Sequence, residues 1–147
     1  RRRGDGGGGL LDGVGGGVTR QNGGMSETSL ADVDLAALVP TWLDWAETAE
    51  QLGLAVSTVR TMVRNHELAQ AVPAPGTGPR IPAEFVQDGL VVKGLSGLLT
   101  LLQDAGYDDR EKIAWVFLEQ PDLPGRPIDA LRENRGSEVK RRAQALL

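Results

Sequence analysis

The sequence predicts a mainly α fold, and three stretches carry that expectation. Asp44 to Leu68 reads as two short amphipathic helices joined at Gly53. Ala69 to Pro82 holds two short extended runs on either side of a proline-rich loop. From Lys93 to Leu147, leucine-rich and basic helical patterns alternate with glycine and proline breaks. Together they predict a winged-helix-like helix-turn-helix with a short β-hairpin, followed by a small C-terminal helical domain. The expected divisions are a Gly-rich segment over 1–24, an acidic segment over 25–41, a helix-turn-helix domain over 42–90 and a helical domain over 91–147.

Residues 1–24 combine Arg1 to Arg3 with a glycine-dominated run that has almost nothing to bury. Such composition does not offset its ordering entropy, so disorder is expected. Met25-Ser26-Glu27-Thr28 reads as an ordinary protein start, so the expectation is that the natural chain starts at Met25 and that the preceding residues are upstream reading frame. Gly13 to Gly17 lacks the strand, helix and Gly-Lys-Ser/Thr ending that a phosphate loop needs. From Met25 to Glu50 there are six acidic residues and no basic ones, so this end should face away from a polyanion. Leu35, Leu38, Val39, Trp42 and Leu43 are expected to pack onto the helix-turn-helix, with Pro40 interrupting the pattern. Trp42 and Trp45 read as core rather than as stacking platforms.

At Asp44 the first helix of the pair begins, with Glu47 three residues on completing a reciprocal cap. Ala46, Ala49 and Leu52 form a narrow apolar face, and Gly53 supplies a left-handed stop. Ser57 is the expected N-cap of the second helix, whose Val59, Met62 and Val63 point inward. Thr58, Arg60, Thr61, Arg64 and Asn65 are then left outward. Arg can donate two bonds to guanine, Asn can pair with adenine, and Thr offers a hydroxyl and a methyl. Ser57, Thr58, Arg60 and Thr61 are therefore the expected base contacts in a major groove, with Arg64 and Asn65 reaching bases or phosphate. The competing reading is a solvated helix face.

Ala49-Glu50-Gln51-Leu52-Gly53-Leu54, Ser57-Thr58-Val59-Arg60, Arg64 and Leu68 resemble the helix-turn-helix of MerR-type regulators and phage excisionases. With the C-terminal half, the chain is similar from about Trp42 to Leu147 to small actinobacterial DNA-binding regulators that include substrates of Ser/Thr protein kinases. That resemblance implies kinase regulation, for which Thr28 is the candidate in the hydroxyl-rich Ser26-Thr28-Ser29 segment.

Ala69 to Val72 and Arg80 to Pro82 are expected to pair as a short wing across Pro73 to Pro79. Only Arg80 offers it a cation, and prolines remove N–H donors, so a degenerate wing is expected. Phe85 should be buried against the helix-turn-helix. His66 is the sole histidine and makes no metal site alone; a structural role near the wing, or a weak phosphate contact, is expected. Ala55 to Pro82 carries three cations (Arg60, Arg64, Arg80) against Glu67, a local +2 in a chain of net charge −4. Neutralising about three phosphates gives a log–log salt slope near −2.7, so a homodimer or clustered sites would be needed for tight binding.

In the second half, Leu95 to Leu102 forms an apolar helix ended by Ala105-Gly106. Asp108 caps the next, with Asp109 and Glu111 as dipole complements and Ile113, Val116 and Phe117 inward beside Trp115. Pro121 to Pro127 breaks the pattern, Ile128 to Leu131 follows, and a last helix after Gly136 carries Lys140, Arg141 and Arg142. Gly-Tyr-Asp-Asp, Trp-Val-Phe-Leu and Pro-Gly-Arg-Pro-Ile-Asp-Ala-Leu resemble the C-terminal domain of Xre/MbcA/ParS-type antitoxins, which implies protein contacts including self-association. Residues 132–142 hold five cations and two anions; they read as extra phosphate contacts or as a solvated amphipathic helix.

One histidine, no cysteine, no serine-centred nucleophile motif and no metal spacing leave only carboxylates for acid–base work, and each has a simpler explanation. The expectation is a non-enzyme without cofactor, metal or catalytic residues: a cytoplasmic, nucleoid-associated transcriptional regulator that binds double-stranded DNA and makes no membrane contact. The alternative is a protein-interaction adaptor or antitoxin-like partner that acts through its C-terminal half.

Overall fold

A computed structural model describes residues 29–147; Thr28 and the glycine-rich segment over 1–24 lie outside the described residues. The fold is mainly α with a short β-hairpin, as the periodicity predicts. A 3-10 turn (Leu30–Asp32) and the one-turn helix α1 (Leu35–Leu38) come first, their N–H groups capped by the side chains of Ser29 and Asp34. Strand β1 (Trp42–Leu43) leads into α2 (Trp45–Leu52), and α3 (Val56–Arg64) follows after a tight turn.

Asp44 and Glu47 form the reciprocal cap: the Glu47 N–H donates to Asp44 Oδ1 at 2.7 Å and the Asp44 N–H to Glu47 Oε1 at 2.9 Å. Gly53 ends α2 in the left-handed region, at φ 68°. Two details of this unit differ from expectation. Ala46 is exposed, and the buried positions of α2 are Thr48 and Ala49; Thr48 tolerates burial because its hydroxyl donates to the Asp44 carbonyl at 2.8 Å. Ser57 does not cap α3. The extended residue Ala55 starts the helix without a side-chain cap, which places Val56, Val59 and Val63 at i, i+3 and i+7 on the inner face. Seating half-buried Val56 there replaces a cap worth about 1 kcal/mol.

The expected wing is reduced to one antiparallel bridge, Ala71 with Arg80, closed by N–H···O bonds of 3.0 and 2.8 Å. Strand β2 (Ile81–Pro82) instead pairs antiparallel with β1, Trp42 opposite Pro82 and Leu43 opposite Ile81. A second hairpin, absent from the sequence reading, joins β3 (Val86–Gln87) to β4 (Leu90–Val91) through Asp88-Gly89, both at positive φ (54° and 79°). That pair of left-handed residues suits a two-residue hairpin turn.

Helices α4 (Leu95–Asp104), α5 (Asp109–Phe117), α6 (Pro127–Arg132) and α7 (Gly136–Gln144) complete the described chain. Asp108 and Glu111 form a second reciprocal cap at α5. Lys112 to Phe117 are all buried, so α5 is covered on every side. One cluster of buried side chains runs from Leu35 and Val39 through Val59, Val63, Phe85 and Leu98 to Ile113, Ile128 and Val139. It joins the stretch before residue 90 to the stretch after it.

Helix α5 adds to two packing expectations. The N-terminal turn and α1 lie against α5 rather than against the helix-turn-helix alone. Arg110 ties them there, donating from Nε to the Ala31 carbonyl at 3.1 Å, from Nη2 to Val33 at 2.8 Å and from Nη1 to Val72 at 3.4 Å. Phe85 is fully buried, as expected, in one cluster with Ala49, Val59 and Val63, and it also meets Phe117 of α5, with ring centroids 5.8 Å apart.

Candidate functional site

Burial of Val59 and Val63 fixes which way α3 faces. Ser57, Thr58, Arg60, Thr61, Arg64 and Asn65 all stand exposed on its other side, and α3 contains no acidic residue. The spacing 57, 58, 60, 61, 64, 65 is that of one broad helical stripe. Six hydrogen-bonding side chains thus share one surface, two of them guanidinium groups.

The two arginines are held differently. The Arg60 guanidinium lies over the ring of Trp45 on α2, 5.4 Å from its centroid. Half-buried Trp45 therefore serves as more than core: its exposed face carries a cation, an arrangement that favours charge over the ring and limits the rotamers Arg60 can sample. Arg64 Nη2 donates to Thr61 Oγ1 at 3.0 Å, and Thr61 Oγ1 donates to the Ser57 carbonyl at 3.1 Å. Thr61 braces Arg64 and is itself anchored one turn back. Arg80 stands apart from this stripe, half-buried at the bridge with Nη1 donating to the Pro79 carbonyl at 3.1 Å.

Residues 29–147 contain twelve lysines and arginines, and the structure sorts them. Arg110 is committed to carbonyls. Arg126 Nη2 donates to Glu84 Oε1 at 2.7 Å and to Asp129 Oδ1 at 2.6 Å, and its guanidinium lies 5.4 Å from the Phe117 ring centroid. Arg132 donates to the Glu84 and Val86 carbonyls, and Arg135 pairs with Glu133 and Glu138. Lys112 is 1% exposed, its Nζ 3.2 Å from His66 Nδ1 and 3.4 Å from Asp109 Oδ1. A hydrogen bond donated by the Lys112 ammonium to Nδ1 requires the His66 tautomer that carries its proton on Nε2. His66 thus has the structural role, but toward α5 rather than at the wing. Arg142 is half-buried on α7, and five cations remain exposed: Arg60 and Arg64 on α3, then Lys93, Lys140 and Arg141.

Of the five cations between 132 and 142, Arg132 and Arg135 are spent inside the fold. Trp45, Lys112 and Arg126 were not singled out as site or support residues by sequence reasoning. Each acts through a partner at least fifteen positions away, which no local pattern reports. The hydrogen bonds from Arg126 are the first cause holding the Asp129 carboxyl below the usual carboxylate range, and they raise Arg126 in turn. Among the described residues no group of histidine and carboxylate side chains is placed to hold a metal ion, and no helix is long and apolar enough to cross a membrane.

Residues 92–147 match the model of a family described as the Rv2175c C-terminal domain of unknown function. Over 120 aligned positions the chain is 42% identical to the DNA-binding protein Rv2175c of Mycobacterium tuberculosis (strain ATCC 25618 / H37Rv), covering 73% of this chain and 80% of that one. It is also similar to the NMR structure of Rv2175c, with a TM-score of 0.64 at 38% identity over 72% of this chain and 80% of that one.

Proposed function

This chain belongs to the Rv2175c family, and on that premise we propose that it is a non-enzymatic protein that binds double-stranded DNA through α3. The observation that carries the reading is the outer face of α3: six exposed donor side chains, two braced guanidinium groups and no carboxylate. In a MerR-like or excisionase-like docking, α3 enters the major groove. Ser57, Thr58, Arg60 and Thr61 then meet base edges, while Arg64 and Asn65 reach bases or phosphate. Arg80 contributes at most one phosphate contact from the reduced wing. We assign the DNA-binding work to residues 42–90 and self-association to 91–147 in a homodimer. The physiological role we propose is transcriptional regulation at the nucleoid, with Thr28 as the hydroxyl a Ser/Thr protein kinase modifies.

The test is fluorescence anisotropy of the full chain with a mixed-sequence duplex across a salt series, beside the Arg60→Ala/Arg64→Ala variant. Losing the phosphate contact of Arg64 should reduce the magnitude of the log–log salt slope by about 0.9, and losing both guanidinium groups should abolish binding at moderate salt. Equal binding by the folded double variant would overturn the reading and transfer the activity to the C-terminal half.

A further inference from the structure

Two of the three exposed cations away from α3 converge, whereas Arg141 lies elsewhere, beside Asp122 and Glu138. Lys93 and Lys140, 47 positions apart in the chain, line one open cavity of about 340 Å³ together with Gly94, Asn134, Gly136 and Ser137. Among the described residues no carboxylate lines it. The nearest acids in sequence, Glu133 and Glu138, are both engaged by Arg135, at 2.8 and 3.3 Å.

The fold builds this cavity by bringing two helix starts together. Gly94 precedes α4 and Gly136 opens α7, and a Cβ on either would meet the same atom, Leu131 Cδ2, at 3.2 and 3.5 Å. Neither start is capped by a side chain. Gly94 sits at φ 87° and Asn134 at φ 65°, conformations that turn the chain sharply on both rims. The stem of Lys140 crosses the first turn of α4, its Cε 3.8 Å from where a Cβ of Gly97 would lie. Two lysines, a serine and an asparagine therefore line one cleft, and no described carboxylate lines it with them.

We propose that this cleft binds a phosphate group, a site separate from the α3 face. A multiply charged oxyanion accepts from both ammonium groups and from the Ser137 hydroxyl at once, which a carboxylate or chloride does less fully. The phosphate is either that of a duplex backbone or a free phosphoanion, and the cleft chemistry is the same for both.

The experiment is a titration of the full chain with inorganic phosphate at constant ionic strength, chloride as the control, read from the amide resonances of Lys93, Gly136 and Ser137. Saturable shifts are expected with phosphate, weakened at least tenfold in Lys93→Ala/Lys140→Ala and retained in Lys93→Arg/Lys140→Arg. The Arg60→Ala/Arg64→Ala variant should titrate as wild type, so loss of the α3 reading leaves this one standing. DNA anisotropy in the lysine double variant then separates the sources. A salt slope smaller in magnitude by about 0.9 assigns the phosphate to the duplex, and an unchanged slope with the phosphate titration intact assigns it to a free phosphoanion. Identical behaviour of wild type and Lys93→Ala/Lys140→Ala in both measurements overturns the proposal.

Discussion

Replacing Arg126 by methionine tests how the two ends of the fold are joined. Four side-chain hydrogen bonds leave this guanidinium: two to Glu84, in the segment after β2, and two to Asp129 on α6. Methionine keeps an apolar stem near Phe117 but strands both carboxylates. Breaking a fully buried pair costs about 3–5 kcal/mol, and these side chains retain 24–33% exposure, which lowers the expected loss to about 2–3 kcal/mol. At about 3–5 °C per kcal/mol for a domain of this size, Tm should fall by about 6–15 °C at neutral pH. The pH dependence gives an internal check. Because the folded carboxyl of Asp129 is depressed, mainly by its hydrogen bond from Arg126, its stabilisation is present above the unfolded pKa of about 3.9 and is lost as pH falls through the folded value. The gap between wild type and Arg126→Met should therefore narrow below about pH 4. Calorimetric scans between pH 3 and 7 measure both effects. A variant melting within about 1 °C of wild type at pH 7, or a gap that widens in acid, would refute the reasoning.

Trp45→Leu removes the ring under Arg60 and should weaken DNA binding about two- to fivefold, the equivalent of about 0.5–1 kcal/mol, with Trp45→Phe intermediate; equal anisotropy curves for all three would show that the ring does not position the guanidinium. His66→Ala leaves the buried Lys112 ammonium with one acceptor fewer and should cost about 1–3 kcal/mol in urea unfolding, whereas Lys112→Met in the same assay should be neutral or stabilising. If Lys112→Met were the more destabilising of the two, the ammonium would be stabilising its surroundings on balance. Tyr107 is the single tyrosine, and burial, with Glu111 second, raises its hydroxyl pKa. Its contribution is intact below the unfolded value of about 10 and is lost as pH rises through the folded value, so absorbance titration should show ionisation later than in the urea-unfolded chain.

What could be read from the sequence was what is decided within one helical turn. Asp44 with Glu47 and Asp108 with Glu111 each close a cap three residues wide, so both helix starts were visible, as was the stop at Gly53. Asp88-Gly89 was equally local and was passed over, because its flanking strands are only two residues each. Ser57 misled for an opposite reason: it is a good cap by type, yet the inward face of Val56, Val59 and Val63 starts the helix one residue before it. On helix α5 the stripe of Ile113, Val116 and Phe117 was legible, but burial of the whole run from Lys112 to Phe117 was not, because covering every side removes the alternation on which periodicity rests. The candidate site was half legible by the same logic. Which residues of α3 face outward follows from two buried valines, and the stripe from Ser57 to Asn65 was read correctly as a surface. Which cations are free does not follow from counting them. Arg132 and Arg135 lie in a stretch that reads as a solvated helix, Arg110 and Arg126 near helix starts, and each of the four is held by carbonyls or carboxylates up to 79 positions away. Their withdrawal leaves five exposed cations among the described residues, of which Arg60 and Arg64 share one helix and Lys93 and Lys140 one cleft, an arrangement that only the tertiary packing decides.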